Sequence, residues 1–213
     1  MTDPITINAH SSIRLDLGEV LYFDPFHITK ETHDADVILC THDHYDHFSP
    51  EDIEKIVKDD TVFVIPESSL GVVSSKLPVD ASRILTVKAG DEITVKGITI
   101  EAVAAYNPNK KFHPKERGWV GYIAESKGVR YYVAGDTDVT EEAKRVKCNV
   151  ALIPIGGTYT MTWQEGAELI REIEPDYVVP THYADIVGTK EDGSAFAEAI
   201  GKAGIPTKVV LKI

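Results

Sequence analysis

Residues 36–47 constrain this chain more than any other stretch. The apolar run Val37-Ile38-Leu39-Cys40 is followed without a gap by Thr41-His42-Asp43-His44-Tyr45-Asp46-His47. A short continuous apolar run that ends in polar residues reads as a buried strand. The loop that leaves it carries three histidines and two aspartates within six positions. Imidazole and carboxylate are the ligands of borderline divalent metals, and open sheets gather their chemistry at the carboxyl ends of strands. The run therefore demands a sheet whose strand end faces a cavity, with metal ligands on the loop.

Spacing divides the ligands. His42 and His44 stand two apart, so on an extended loop they point to one side and can share one metal. Asp46 and His47 can serve a second metal, and two metals roughly 3.5–4 Å apart form the usual hydrolytic clamp. With eight histidines in the whole chain, three in six positions are hard to assign to chance. Asp136 follows Tyr131-Tyr132-Val133-Ala134-Gly135, an apolar strand ending in a glycine. Alone it would read as a turn cap; beside the histidine cluster it reads as a carboxylate able to bridge two cations. His182 follows Val178-Val179-Pro180-Thr181, again at a strand end. His10 and His113 carry weaker signals, and His27 and His33 fall in polar stretches that imply surface positions.

The remaining chain reads as one domain over residues 1–213, with no linker, repeat or low-complexity tract. Strands are expected at 5–8, 13–17, 20–23, 36–40, 62–65, 83–87, 92–95, 98–104, 119–125, 129–134, 150–155, 177–179 and 207–212. Helices are expected from Pro50, over 67–75, from Thr162 to about Glu174 through the capping box Thr162-Trp163-Gln164-Glu165, and over 194–203. The segment 106–118 is a long polar loop of the kind that carries function. Mostly antiparallel strands with helices outside imply an α+β fold, two sheets face to face between helical layers.

Composition narrows the partners. The formal net charge is −12, and no basic cluster appears beyond Lys110-Lys111, which argues against a nucleic-acid partner. No apolar run is long enough to span a bilayer. The opening Met1-Thr2-Asp3-Pro4 lacks the basic and apolar regions of a secretory leader, so a cytoplasmic location is expected. Cys40 and Cys148 read as small core residues, since neither has metal-ligand spacing to another cysteine.

Taken together, Thr41-His42-Asp43-His44-Tyr45-Asp46-His47, Gly135-Asp136-Thr137 and Thr181-His182-Tyr183 resemble, in order, the motifs of the metallo-β-lactamase fold hydrolases. The resemblance runs from Ile5 to Ile213. The opening His10-Ser11-Ser12-Ile13-Arg14, Gly118-Trp119-Val120-Gly121-Tyr122 and Ile155-Gly156-Gly157-Thr158-Tyr159 look like the branch of ascorbate-phosphate lactonase-like proteins. True β-lactamases with a cysteine in place of Asp136, diiron oxygen reductases with Glu in place of His44, and RNA-processing members with a large inserted domain do not match.

The resemblance implies a four-layer αββα sandwich and hydrolysis by a metal-bound hydroxide. It assigns His42, His44 and a third histidine to the first metal, Asp46, His47 and His182 to the second, and Asp136 to a bridge. The third histidine is missing where the family has it, because Asn107 stands there. His113, Asn107 or no further residue then completes that site, with His113 preferred. Asp46 is expected to orient the attacking hydroxide, and His10 and Tyr183 are candidates for substrate contact or proton delivery. Two divalent ions are expected, Zn first, with Mn or Fe compatible. The expected substrate is a small anionic or polar ester, a lactone or a phosphodiester, for which Lys110, Lys111, Lys115 and Arg117 could supply cations. Self-association is plausible. A non-catalytic metal sensor and a mononuclear iron redox enzyme are the alternatives.

Overall fold

Alternating faces explain why the central strands are apolar throughout. In the computed structural model, which describes residues 1–213, Val37 and Leu39 join one core while Ile38 between them joins another. Tyr131 and Val133 likewise face one way and Tyr132 the other. A strand covered on both faces needs no polar residue, so such runs belong at the centre of a layered molecule.

Two sheets result. The first contains β1 (Ile5–Ala9), β2 (Ser12–Asp16), β3 (Val20–Phe23), β4 (Val37–Leu39), β5 (Val62–Pro66) and β6 (Ile84–Val87), in that spatial order. The second contains β7 (Glu92–Val95), β8 (Ile98–Ala104), β9 (Val120–Ser126), β10 (Val129–Val133), β11 (Val150–Pro154), β12 (Tyr177–Thr181) and β13 (Lys208–Val209), also in chain order. Leu15, Phe23, Leu39 and Val64 from the first sheet meet Ile100, Tyr122, Val133 and Leu152 from the second.

Helices cover both outer faces. α1 (Pro50–Glu54) and α2 (Leu70–Lys76) lay Ile53 and Val73 on Ile38, Phe63 and Ile65. α3 (Glu141–Lys144), α4 (Trp163–Ile173) and α5 (Lys190–Lys202) cover Tyr132, Ala151, Ile153 and Val178, with Leu169, Ile170, Phe196 and Ile200 as the main anchors. The architecture is the expected α+β, four-layer αββα sandwich. Leu169 is fully buried, so Leu169→Ala should cost about 2–5 kcal/mol of stability.

The expectation of mostly antiparallel strands is corrected. β1–β2–β3 and β7–β8–β9–β10 pair antiparallel, but β3 to β6 and β10 to β13 run parallel. The reason lies in the connections. Two-residue turns such as Lys127-Gly128 allow hairpins, whereas parallel neighbours need crossovers long enough to hold a helix. The sites at 41–47, 134–138 and 182 therefore sit at carboxyl ends of parallel strands.

Smaller differences have local causes. α5 begins at Lys190 rather than 194 because Thr189 and Asp192 form a capping box, and the glycine at 193 is no obstacle: a Cβ there would lie 2.6 Å from the Tyr183 hydroxyl. The closing strand shrinks to β13, and the helix read at 67–75 starts as a 3-10 turn over Glu67–Ser69. α3 is an addition to the expected helices; Thr140 caps it by accepting from the Ala143 amide at 3.1 Å. No helix is long and apolar enough to cross a membrane.

Candidate metal centre

The site is built outwards from Asp24, a residue for which the sequence reading gave only a turn. Asp24 follows β3, and the pairing of Phe23 with Leu39 sets it level with the start of the histidine loop. Fully buried, its carboxylate accepts from the Thr41 amide at 2.7 Å, the Thr41 hydroxyl at 2.8 Å and His47 Nδ1 at 2.7 Å. Because the Thr41 hydroxyl gives its proton to Asp24, it accepts from His42 Nδ1 at 3.0 Å. Both rings are thereby turned so that Nε2 faces inward. An acid one residue past a strand that neighbours the motif strand was the available signal, but reading it needs the strand pairing.

Three groups of inward-facing atoms converge, each within 4.8 Å: His42, His44 and His113; His10, Asp46, His47 and His182; and His42, His47 and Asp136. In the first, His42 Nε2 lies 3.1 Å from His44 Nδ1 and 3.2 Å from His113 Nε2. In the second, Asp46 Oδ2 lies 3.5 Å from His10 Nε2 and 3.8 Å from His47 Nε2. Asp136 divides its oxygens between them. Oδ1 is 3.3 Å from His47 Nε2 and 3.2 Å from His182 Nε2, and Oδ2 is 3.5 Å from His113 Nε2.

Two sequence assignments change. His10, expected at the substrate, lies inside the second group, its ring 3.7 Å from that of His182. The two backbones meet as well, the His182 amide donating to the His10 carbonyl at 3.0 Å. Both residues adopt positive φ, 50° and 56°, a strained choice for a histidine that places its ring where a regular strand end would not. Tyr183 does not reach the cavity. Its ring is buried in the core beneath α5, against Gly193, and burial raises its phenol pKa.

His113, not Asn107, stands with His42 and His44. The Asn107 amide donates to the His113 carbonyl at 2.7 Å, which folds the loop back and brings the imidazole inward. Lys110 ties the same loop to Asp138 and to the Thr160 carbonyl. Trp119 closes one side, its ring about 5 Å from those of His42, His44 and His113. Its indole N–H donates to Asp43 at 3.0 Å, which holds that acid of the motif away from the groups. Gly135 lets the Asp136 turn sit against the motif: φ is +65°, and a Cβ there would come within 2.9 Å of Thr41 Cβ.

Electrostatics suit cation binding. Burial drives the pKa of His42, His10 and His44 down, and that of His113 down to about 4, so these rings are neutral donors at neutral pH. Burial opposes ionisation of Asp46, yet the neighbouring His10 and His47 imidazoles prevail and bring it to about 2. Burial would also raise Asp136, but the charges of His182 and His47 hold it well below the usual range. His47 is the counterpart: burial lowers it, and Asp136 with Asp24 overrules that and raises it well above normal. Cys40 and Cys148 lie outside the groups, and burial pushes the Cys148 thiol up to about 12.

Whether these residues fit a metal can be judged from the protein alone. His10 Nε2, His47 Nε2, His182 Nε2 and Asp136 Oδ1 are buried without a hydrogen-bond partner. Each such atom costs about 1–3 kcal/mol, and four of them face one another. A divalent cation would satisfy them, and a nitrogen–oxygen set without thiolate fits one.

A cavity of about 250 Å³ opens over the centre. Its floor is His44, Asp46, His113 and Asp136, and its rim is Tyr45, Phe112, Tyr159 and Ile186. His27 and His33 lie outside at the surface, against Asp185 and Glu31.

Comparison with known proteins gives concordant results. Residues 4–182 match the model of the β-lactamase superfamily domain. A UPF0173 metal-dependent hydrolase from Methanopyrus kandleri is 28% identical over 186 residues, covering 84% of this chain and 79% of that one. Another from Salinibacter ruber is 29% identical over 220 residues, covering 96% and 95%. The crystal structure of a candidate metal-dependent hydrolase from Parabacteroides distasonis superposes with a TM-score of 0.79 at 32% identity, over 96% of this chain and 91% of that one.

Proposed function

The chain belongs to the β-lactamase superfamily and is a metal-dependent hydrolase; from that premise we propose that it cleaves a small ester, a lactone or a phosphodiester, with two divalent cations. The observation that carries this reading is Asp136, whose two carboxylate oxygens are shared between the two groups of imidazoles. His42, His44 and His113 would hold one cation, and Asp46, His47, His182 and His10 the other, with Asp136 between them. Zn is the first candidate, and Mn or Fe suits the same donors.

When bound, such cations acidify water from a pKa of about 15.7 towards 7 and stabilise charge developing on the attacked oxygen. The protein's own groups then have distinct tasks. Asp46 is ionised and lies on the cavity floor, so it can accept a hydrogen bond from the attacking water and orient it. Asp24 fixes the ring orientation of His47 directly and of His42 through Thr41. Trp119 walls the first group from one side.

Two groups of candidate ligands count against the sensor reading, which the Asn107 departure left open, and against the mononuclear iron reading. Elemental analysis of protein purified without chelator, with bis-p-nitrophenyl phosphate and a lactone panel assayed on the same sample, tests the proposal. Two Zn or Mn per chain with turnover of either ester is the expected result. One iron per chain without hydrolysis would overturn it.

A further inference from the structure

The chain exposes nine large hydrophobic side chains, and four of them, Tyr45, Phe112, Tyr159 and Ile186, ring the mouth of one cavity. They come from four separate loops, after β4, β8, β11 and β12. They contribute little to the core: Tyr45 is 67% exposed and Phe112 52%. Edge-on contacts hold them upright instead. Phe112 and Tyr159 meet at 5.5 Å and 85°, and Tyr45 leans on Phe26 at 6.1 Å and 78°. Apolar side chains gathered around a pocket with a polar floor mark a ligand site.

Three of the four loop cations are engaged away from that mouth. Lys110 is bound to Asp138, Lys115 pairs with Glu142 at 2.7 Å, and Arg117 lies over the Trp119 ring at 4.7 Å. Lys111 sits 5.9 Å from the Phe112 ring, and no lysine or arginine lines the cavity. Asp46 is on the floor and Asp185, beside Ile186, faces His27.

We propose that this cavity takes a neutral carboxylic ester or lactone, its apolar acyl chain lying against Phe112, Tyr159, Tyr45 and Ile186 and its carbonyl directed to the floor. This replaces the anionic or polar substrate expected from sequence and sets the phosphodiester aside. It rests on the hydrolase reading above and deepens it. A cavity of about 250 Å³ is below the range of about 300–1,000 Å³ for drug-sized ligands, which limits the acyl chain to a short one.

Binding to unreactive probes separates this claim from catalysis. Calorimetry on metal-loaded protein would compare acetanilide, hexananilide and diethyl phosphate, and hydrolysis of p-nitrophenyl acetate and hexanoate would be followed in parallel. Full burial makes each added methylene worth about fourfold, so the rim predicts at least about tenfold tighter binding of hexananilide than of acetanilide. Phe112→Ala/Tyr159→Ala should reduce that ratio to about twofold or less with metal content unchanged. Tyr159→Ala/Ile186→Ala is the second variant, because Phe112 adjoins His113. Equal binding of the two anilides, or tighter binding of diethyl phosphate, overturns the inference. Chain-length discrimination without ester turnover would sink the hydrolase reading alone, and turnover with a flat chain-length profile would sink this one alone.

Discussion

The two halves of the molecule follow one plan and supply the metal centre in opposite ways. Each begins with antiparallel hairpins and ends in parallel strands, joined by helices except between β3 and β4, where a loop makes the crossing. The first half delivers His42, His44, Asp46 and His47 on one loop and adds His10 from a turn. The second delivers His113, Asp136 and His182 one at a time, from three loops far apart in sequence. Ligands on one loop share one support, here Asp24 and Thr41. Ligands on separate loops each depend on their own anchors, such as Lys110 for the loop of His113.

Variants can break or sharpen that contrast, and the strongest is Asp136→Ala. It removes the carboxylate shared by both groups, so both ions should be lost, with activity falling by more than the about 100-fold that marks the upper end for an outer partner. Retention of one ion at full occupancy would show that the halves bind independently. Asp24→Asn tests the shared support. It should weaken both ions by about 10–100-fold, seen as parallel shifts in two competitive chelator titrations. Weakening of one ion alone would mean that the Thr41 relay to His42 has no effect.

His113→Ala tests the separate supports. One ion should be lost and the other keep its affinity, measured as metal per chain after dialysis against a weak chelator. Loss of both would join the two groups more closely than the loop anchors imply. Trp119→Phe should have the smallest effect. It keeps the wall but removes the N–H bond to Asp43, at a cost of about 0.5–1.5 kcal/mol in urea unfolding with metal content unchanged.

The same contrast explains what could be read from sequence. The histidine loop was legible because its ligands are neighbours in the chain and their spacing carries the geometry. His182 and His113 were weak alone, because a single histidine at a strand end or on a loop says nothing until folding brings it to the others. Asp24 escaped notice for a stricter reason: its role exists only through the register of β3 on β4. Tyr183 misled because consecutive residues need not face the same way. With φ of 56° at His182 and 60° at Ala184, the chain turns sharply, sending the imidazole to the cavity and the phenol to α5. Strand positions were legible from apolar runs, whereas strand direction depends on how connections pack, which local pattern does not encode.

The sequential strand order has one further consequence. The first sheet ends at Val87 and the second begins at Glu92, so no strand pairing crosses between the halves. Side-chain burial and a few bonds, such as that from the His182 amide to the His10 carbonyl, hold them face to face. Every group of candidate ligands draws on both halves. A cation seated there would act as a cross-brace through the sandwich, performing in a chain with two unpaired cysteines the mechanical task that a disulfide performs elsewhere.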